Sequence, residues 1–474
     1  MKKLKECRNF GELYETIGEK NFGNVAYFLT LLLIYVPFAA GIMNAVMLWN
    51  ERKGWGYYDA YEYNYNCMTL WNIPFSMMLF WSALYLLCKI GYNKWRFNGF
   101  ISAIKEKQPW LLWWLALLVW TIIPVAFSPD PFAAVVGVGQ LGSGYISHFF
   151  TLGVLGCVYM ITDKEQKEKA VWTFIGVTDI LSLIQISFEY DIPPLMYFSA
   201  APRVSVYTAW NHYGYIIAMS HLAITGMYYK VLATDNEENK VRKEIVLILS
   251  VILQSFAIVI NDTLGSYLGI VLALIIVMIF WAVRLKKFNI KFLIPLVAIV
   301  VFTALSFAGS ITTKSGTSMG PSLIEFGGDL KKLFYKTEDY RQAGTTRAGI
   351  WEDTINRIKE RPIVGYGPEI IQGKDLTIYI NTTPHNEFLE CAYFLGIPGL
   401  ILYLGGLIHL FIIKIKSLKK LNIFMLIPGG VIICYLIGSF TGVRKFNTVC
   451  YFFMFIGLLI SREQMFEDKG TDIK

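Results

Sequence analysis

Charge is scarce in this chain of 474 residues, of which only 16% are charged while 55% are hydrophobic. Soluble domains carry about 25% charged residues, so this composition excludes an ordinary water-soluble protein. The mean hydropathy of +0.47 agrees with that exclusion. Because the apolar runs are long enough to span about 30 Å of hydrocarbon, the chain as a whole is predicted to be embedded in a membrane.

Patterns that bind metal are also missing. The seven cysteines are scattered, and none forms a Cys-x-x-Cys pair, so neither a disulfide framework nor a zinc site is predicted. No cluster of carboxylates with metal-ligand spacing occurs in the segments predicted to lie outside the cell. We therefore expect no metal and no cofactor, and a positive charge needed there would come from arginine.

Long apolar segments predict an all-α polytopic membrane protein with about twelve transmembrane helices. The first segment is too long for a signal-peptide core and is expected to remain as a helix. One large polar insert precedes the tenth helix, which predicts an N-terminal bundle of nine helices (1–309), an extracytoplasmic loop with short helices (310–386) and a C-terminal three-helix segment (387–474). The predicted spans are 24–48, 68–89, 110–127, 145–161, 170–190, 211–229, 244–260, 266–284, 292–309, 387–413, 422–441 and 448–461.

The basic residues are sorted by side. If the N-terminus is cytoplasmic, the inner segments hold 28 of the 43 lysines and arginines, the short outer loops hold five, and the insert holds ten. This bias follows the positive-inside rule and predicts a cytoplasmic-membrane protein with both termini in the cytoplasm. The net charge of +8 then reflects topology and contact with anionic lipid, so nucleic acid is not an expected partner.

One outer loop, residues 191–210, carries a single basic residue. That residue is Arg203, and the loop leads into Asn211 at the start of the sixth predicted span. A lone arginine outside departs from the sorting of basic residues. It either contacts a phospholipid headgroup or binds an anionic group of a substrate.

A second arginine occupies an unusual helical position in the insert. Apolar residues recur there at the spacing of one buried helical face, namely Trp351, Ile355 and Ile358. Arg347 lies one turn earlier on the same stripe, where a cation opposes the helix dipole. Such an arginine at a helix start suits phosphate oxygens. The alternative is an ion pair with Glu352 or Asp353.

The end of the insert contains a candidate base. Thr383 and Pro384 resemble an N-cap and a first helical position, which would place His385 in the first turn of the tenth span. The positive end of the helix dipole disfavours imidazolium, so His385 is expected to stay neutral and able to accept a proton from a hydroxyl. Asn386 would cap the helix or bind a sugar, and Glu387 would satisfy the dipole or orient the imidazole.

Two further patterns lie within predicted spans. Asp179 falls near the centre of the fifth span, where a carboxylate is costly, so it is either a functional residue or a polar contact to a neighbouring helix. Gly396–Gly399, which includes Pro398, predicts a kink in the tenth span. A kink beneath His385 is expected to widen a cavity between helices.

Three segments carry further motifs, namely Pro202–Val204 with Trp210–His212, Arg347–Trp351 with Arg361–Gly367, and Pro384–Leu389 with Gly396–Gly399. In this order they resemble the O-antigen ligase and polysaccharide polymerase superfamily. The resemblance implies a metal-independent, inverting glycosyltransferase of GT-C-like helical architecture that uses undecaprenyl-pyrophosphate-linked glycan. It also implies that Arg203 and Arg347 hold the pyrophosphate and that His385 activates the acceptor. Relatives often carry a Ser-Arg pair near the outer start of the eighth span, where this chain has Leu264-Gly265-Ser266-Tyr267.

These residues and the resemblance predict an enzyme that polymerises lipid-linked repeat units outside the cytoplasmic membrane. A ligase that moves finished glycan to another acceptor has the same parts. The expected partners are undecaprenyl-pyrophosphate-linked oligosaccharide, a glycan acceptor and membrane lipid, with a chain-length regulator or a flippase as further candidates. A transporter of lipid-linked glycan is the alternative from another class, and it predicts internal repeats and several ionisable residues at mid-membrane, where the spans offer Asp179.

Overall fold

The computed structural model describes residues 4–54, 60–137, 144–198, 207, 210–234, 238–286, 289–368, 383–416 and 423–461. Seventeen α-helices make up most of this described part, which contains no β-strand. Eight helices are long and apolar enough to cross a membrane, and four shorter apolar helices accompany them. The prediction of an all-α polytopic membrane protein is confirmed.

The twelve apolar helices coincide with the twelve predicted spans. They are α2 (Glu19–Arg52), α3 (Ala60–Tyr92), α5 (Leu111–Ala126), α7 (Tyr145–Tyr159), α8 (Lys164–Glu189), α9 (Trp210–Ala233), α10 (Lys240–Asn261), α11 (Leu264–Leu285), α12 (Ile294–Phe307), α15 (Glu387–Lys416), α16 (Leu426–Gly438) and α17 (Phe446–Ile460). Five other helices connect or cover them. These are α1 (Phe10–Ile17), α4 (Phe97–Lys107), α6 (Pro131–Val136), α13 (Met319–Tyr335) and α14 (Arg347–Glu360).

Helix α9 is the centre of the bundle. It packs against α8, α10, α11, α16 and α17, and nearly all of its side chains are buried. Its polar side chains, among them Ser220, His221 and Thr225, are fully buried and would be costly against lipid, which explains this position. Helices α8 and α10 end, and helices α9 and α11 begin, at the same end of the bundle. The connections between these helices therefore lie at that end.

Helix α15 contains the predicted kink. Its backbone leaves the helical region at Gly396, with φ 71°, and a Cβ there would collide with the carbonyl oxygen of Ile363. The freed Ile397 N–H donates to the carbonyl of Pro362 at 2.8 Å. The kink is therefore confirmed, but the expectation that it widens a cavity is wrong, because the turn after α14 packs into it.

Helix α13 has two different sides. Ile324, Leu330 and Phe334 are exposed apolar residues, whereas Ser322 and Asp329 line a cavity on the other side. Helix α14 follows and packs on α15.

The buried face of α14 consists of Ile350, Thr354 and Ile358. The predicted face is therefore right at Ile358 and wrong at Ile355, which is 42% exposed. The contact with α15 selects the Ile350 side of the helix, one position away from the stripe that the sequence pattern favoured.

Candidate functional site

A cavity of about 630 Å³ opens at the end of the bundle where α8 and α10 finish. Its walls come from α8, the turn between α10 and α11, α13 and the first turn of α14. Arg347, His385 and Asn211 all line it. The structure thus places three of the predicted site residues, which are far apart in the sequence, around one space.

Arg347 lies in the first turn of α14, as predicted, where it is the first residue, and its side chain is largely buried. The two carboxylates that could have paired with it are bound by Arg341, which contacts Glu352 at 2.9 Å and Asp353 at 2.7 Å. Within the described residues, no carboxylate lies at ion-pair distance from Arg347. Burial lowers the pKa of Arg347, but a guanidinium remains charged in proteins. Arg347 therefore faces the cavity as a cation that no carboxylate of the described residues binds directly.

The backbone before Arg347 is held in an unusual conformation. Gly344, Thr345 and Thr346 all have positive φ, at 65°, 58° and 68°. Such angles are costly for a β-branched residue, and they persist only where surrounding contacts fix them. One such contact is the carboxylate of Asp329, which accepts from the Gly344 N–H at 2.7 Å. These three residues line the cavity and set the direction in which α14 starts.

His385 does not lie in the first turn of α15, so that prediction is wrong. The helix begins at Glu387, and the side chain of Asn386 accepts from the backbone N–H groups of Phe388 and Leu389, each at 3.0 Å. Asparagine is among the best N-cap residues, and here it satisfies two donors at once. His385 precedes the cap with φ 49°.

The imidazole of His385 is neutral for reasons that the sequence did not supply. Burial, followed by the charge of Arg347, lowers the pKa of His385 to about 4. The prediction of a neutral ring thus has the right direction, but burial and a neighbouring guanidinium cause it. The Nδ1 atom is buried and has no hydrogen-bond partner in the described part of the chain. A neutral ring with an unoccupied nitrogen can accept a proton from a hydroxyl.

Glu387 is part of a separate buried network. Its carboxylate accepts from the hydroxyls of Tyr403, Tyr435 and Ser439 at 2.8, 2.9 and 2.9 Å. These bonds join α15 to the end of α16, and Glu387 is not among the residues that line the cavity around His385. The geometry favours a structural role for this carboxylate over orientation of the imidazole.

The predictions for Asp179 and Arg203 have different outcomes. The carboxylate of Asp179 accepts from Ser250 at 2.6 Å and from Gln254 at 2.8 Å, and it does not line the cavity. These contacts are the polar bridge between helices that was the alternative to a functional role. Arg203 lies outside the described residues.

Helix α13 contributes a polar wall that is not among the predicted site residues. Ser322, Glu325 and Asp329 line the cavity together with Glu189 of α8. The three α13 residues are separated by three and four positions, so they share one helical face. That spacing is visible in the sequence, although it does not indicate what the face lines.

The fold and the site together define a class: an all-helical integral membrane protein with an arginine and a neutral histidine in one cavity at the end of its bundle. No carboxylate among the described residues pairs with this arginine. Residues 249–404 match the family model described as O-Antigen ligase. This match confirms the resemblance to the O-antigen ligase and polysaccharide polymerase superfamily, and the matched segment includes both Arg347 and His385. No curated protein matches the chain.

Proposed function

We propose that this chain is a glycosyltransferase that polymerises polysaccharide repeat units from undecaprenyl-pyrophosphate-linked glycan. The observation that carries the proposal is the shared cavity of Arg347 and His385, in which the arginine has no carboxylate partner among the described residues. A pyrophosphate needs a cation that other groups have not neutralised, and an acceptor hydroxyl needs a neutral base.

The reaction would proceed by inverting transfer without a metal. The acceptor oxygen forms a bond to the anomeric carbon of the donor while the bond from that carbon to the pyrophosphate oxygen breaks. The acceptor proton passes to His385, and the electron pair leaves with the lipid pyrophosphate. Arg347 stabilises the charge that develops on this leaving group. The polar residues of α13 face the same space and offer hydrogen-bond partners for sugar hydroxyls.

The proposed setting is the outer face of the cytoplasmic membrane, with both termini in the cytoplasm. The distribution of lysine and arginine supports this orientation. It makes the insert 310–386 extracytoplasmic, so the cavity would face the side to which lipid-linked glycan is delivered. A flippase that delivers the donor and a regulator of chain length would be functional partners.

Ligation of finished glycan to another acceptor is the second candidate, and the description of the matching family favours it. Both reactions need the same leaving group, cation and base. The two candidates differ only in the acceptor, so the products distinguish them.

The test is an assay of purified protein with a lipid-linked glycan donor. His385→Ala should lower glycan transfer by about 100-fold to 10,000-fold, the usual contribution of a general base. His409→Ala is the matched control, because this histidine of α15 contacts Trp113 and does not line the cavity. Longer lipid-linked chains would identify a polymerase, and glycan on another carrier would identify a ligase. Transfer that persists in His385→Ala would refute the proposed base, and absence of any transfer would favour a transporter.

A further inference from the structure

We infer that Trp351 is a positioning residue that orients His385 by holding the backbone immediately before it. The indole Nε1–H of Trp351 donates to the carbonyl oxygen of Pro384 at 2.8 Å. This inference rests on the proposed function for its catalytic meaning, although the contact itself does not depend on that function.

The bond acts on His385 through the geometry of one peptide unit. The carbonyl of Pro384 and the N–H of His385 belong to the same planar group. An indole that fixes the oxygen therefore fixes the plane from which the His385 side chain projects. His385 needs such support because its φ of 49° lies in the left-handed region, which residues other than glycine seldom adopt.

The other side of His385 is fixed independently. Asn386 caps α15 with two hydrogen bonds, so the chain after the histidine is tied to that helix. Trp351 ties the chain before the histidine to α14. His385 is thus held between two anchors, and the one on α14 is the anchor that relates it to the arginine.

Helix α14 carries both the cation and the residue that holds the backbone of His385. Arg347 and Trp351 are four positions apart, so they project from neighbouring points on one side of the helix. A rigid helix that presents the guanidinium and also holds the backbone of His385 sets the separation between cation and base. Loss of the indole hydrogen bond should leave Arg347 in place but allow His385 to turn toward solvent.

Several titratable or charged groups surround the imidazole, and Trp351→Phe removes none of them. Arg347 acts on His385 from α14. His212 of α9 also interacts with it, and the carboxylates that line the same cavity are those of Glu189, Asp262, Glu325 and Asp329. A change in the titration of His385 in this variant therefore reports its position and exposure rather than a lost neighbouring charge.

The experiment compares Trp351→Phe with Trp120→Phe. Trp120 donates the same type of bond, from its indole to the carbonyl of Leu395 at 2.8 Å, but that contact lies elsewhere on α15. NMR of ring-labelled histidine, assigned with His385→Ala, would follow the pKa of His385 in each full-length protein. Transfer rates measured over pH would give kcat and KM in parallel.

We expect Trp351→Phe to raise the pKa of His385 by about one unit or more, toward its ordinary value of about 6.5. We also expect kcat to fall about tenfold or more while KM for the donor changes less than about twofold. Trp120→Phe should leave the pKa near its wild-type value. An unchanged His385 titration in Trp351→Phe, or equal shifts in both variants, would overturn the inference. If the pKa rises in Trp351→Phe but transfer does not depend on His385, the proposed function fails while the positioning role stands.

Discussion

Arg341 and Arg347 stand six positions apart in the same insert, yet their surroundings are opposite. Arg341 is 42% exposed in its side chain and is bound by two carboxylates of α14. Arg347 is largely buried, faces the cavity and has no ion-pair partner among the described residues. Proteins seldom bury a cation without compensation, because removal from water is costly. The lack of a carboxylate partner among the described residues, rather than the presence of an arginine, therefore indicates a binding site.

The largest difference is expected between two single variants in which either Arg347 or Arg341 is replaced with lysine. Arg347→Lys should lower glycan transfer about tenfold or more, since a point charge does not reproduce the planar pair of donors that fits phosphate oxygens. Arg341→Lys should keep transfer within about threefold and change stability by about 0–1 kcal/mol, as is usual for an exposed ion pair. Transfer rates and thermal unfolding of the two variants check both expectations. Near-normal transfer by Arg347→Lys would mean that its charge alone suffices.

The pH dependence of transfer tests whether the buried His385 stays neutral in the working enzyme. With a pKa of about 4, the imidazole is still about 90% neutral at pH 5, whereas an ordinary histidine with pKa about 6.5 would be about 3% neutral. We expect transfer rates at pH 5 and pH 7 to agree within about twofold. A decline of about 25-fold over this range would show that His385 titrates normally or is not buried when the enzyme works.

The same pKa has a consequence for stability. Between about pH 6.5 and pH 4 the unfolded chain binds a proton at His385 that the folded protein excludes, so stability falls as the pH is lowered through this window. Below about pH 6.5, the unfolding temperature of the wild type should therefore decline more than that of His385→Ala. Parallel curves would contradict the lowered pKa.

The smallest effect is expected at Asp179, whose partners are in place. A side-chain amide at this position would keep one acceptor oxygen for Ser250 or Gln254, so Asp179→Asn should cost about 1 kcal/mol of stability and change transfer less than about twofold. Chemical denaturation and the transfer assay measure the two quantities. A collapse of transfer with normal stability would make Asp179 a functional residue after all.

Some parts of the site were predictable because they depend on local sequence. The start of α14 at Arg347 and the kink at Gly396 follow from helix-forming residues and from a glycine near Pro398, and the structure contains both. The cap of α15 was assigned to Thr383 instead of Asn386 because two candidate cap residues lie three positions apart. Only the hydrogen bonds of the Asn386 side chain distinguish them.

Other parts depended on contacts between distant segments. The buried face of α14 is decided by its packing on α15, and the carboxylates that follow Arg347 are bound by Arg341. The polar face of α13 gains its meaning only because α8 and α14 close the cavity around it. Spacing shows that the polar residues of α13 share a face, but neither spacing nor composition shows which segments meet.

The amino-acid sequence alone determined that this chain is a polytopic helical membrane protein, since burial in lipid requires long apolar helices and charges sorted by side. It also singled out one arginine and one histidine in the polar insert. The tertiary structure decided that these two share a cavity, that the arginine lacks a carboxylate partner in the described chain, and that the histidine is kept neutral. Partnering and burial arise from segments far apart in the chain, and local patterns carry no record of which segments meet.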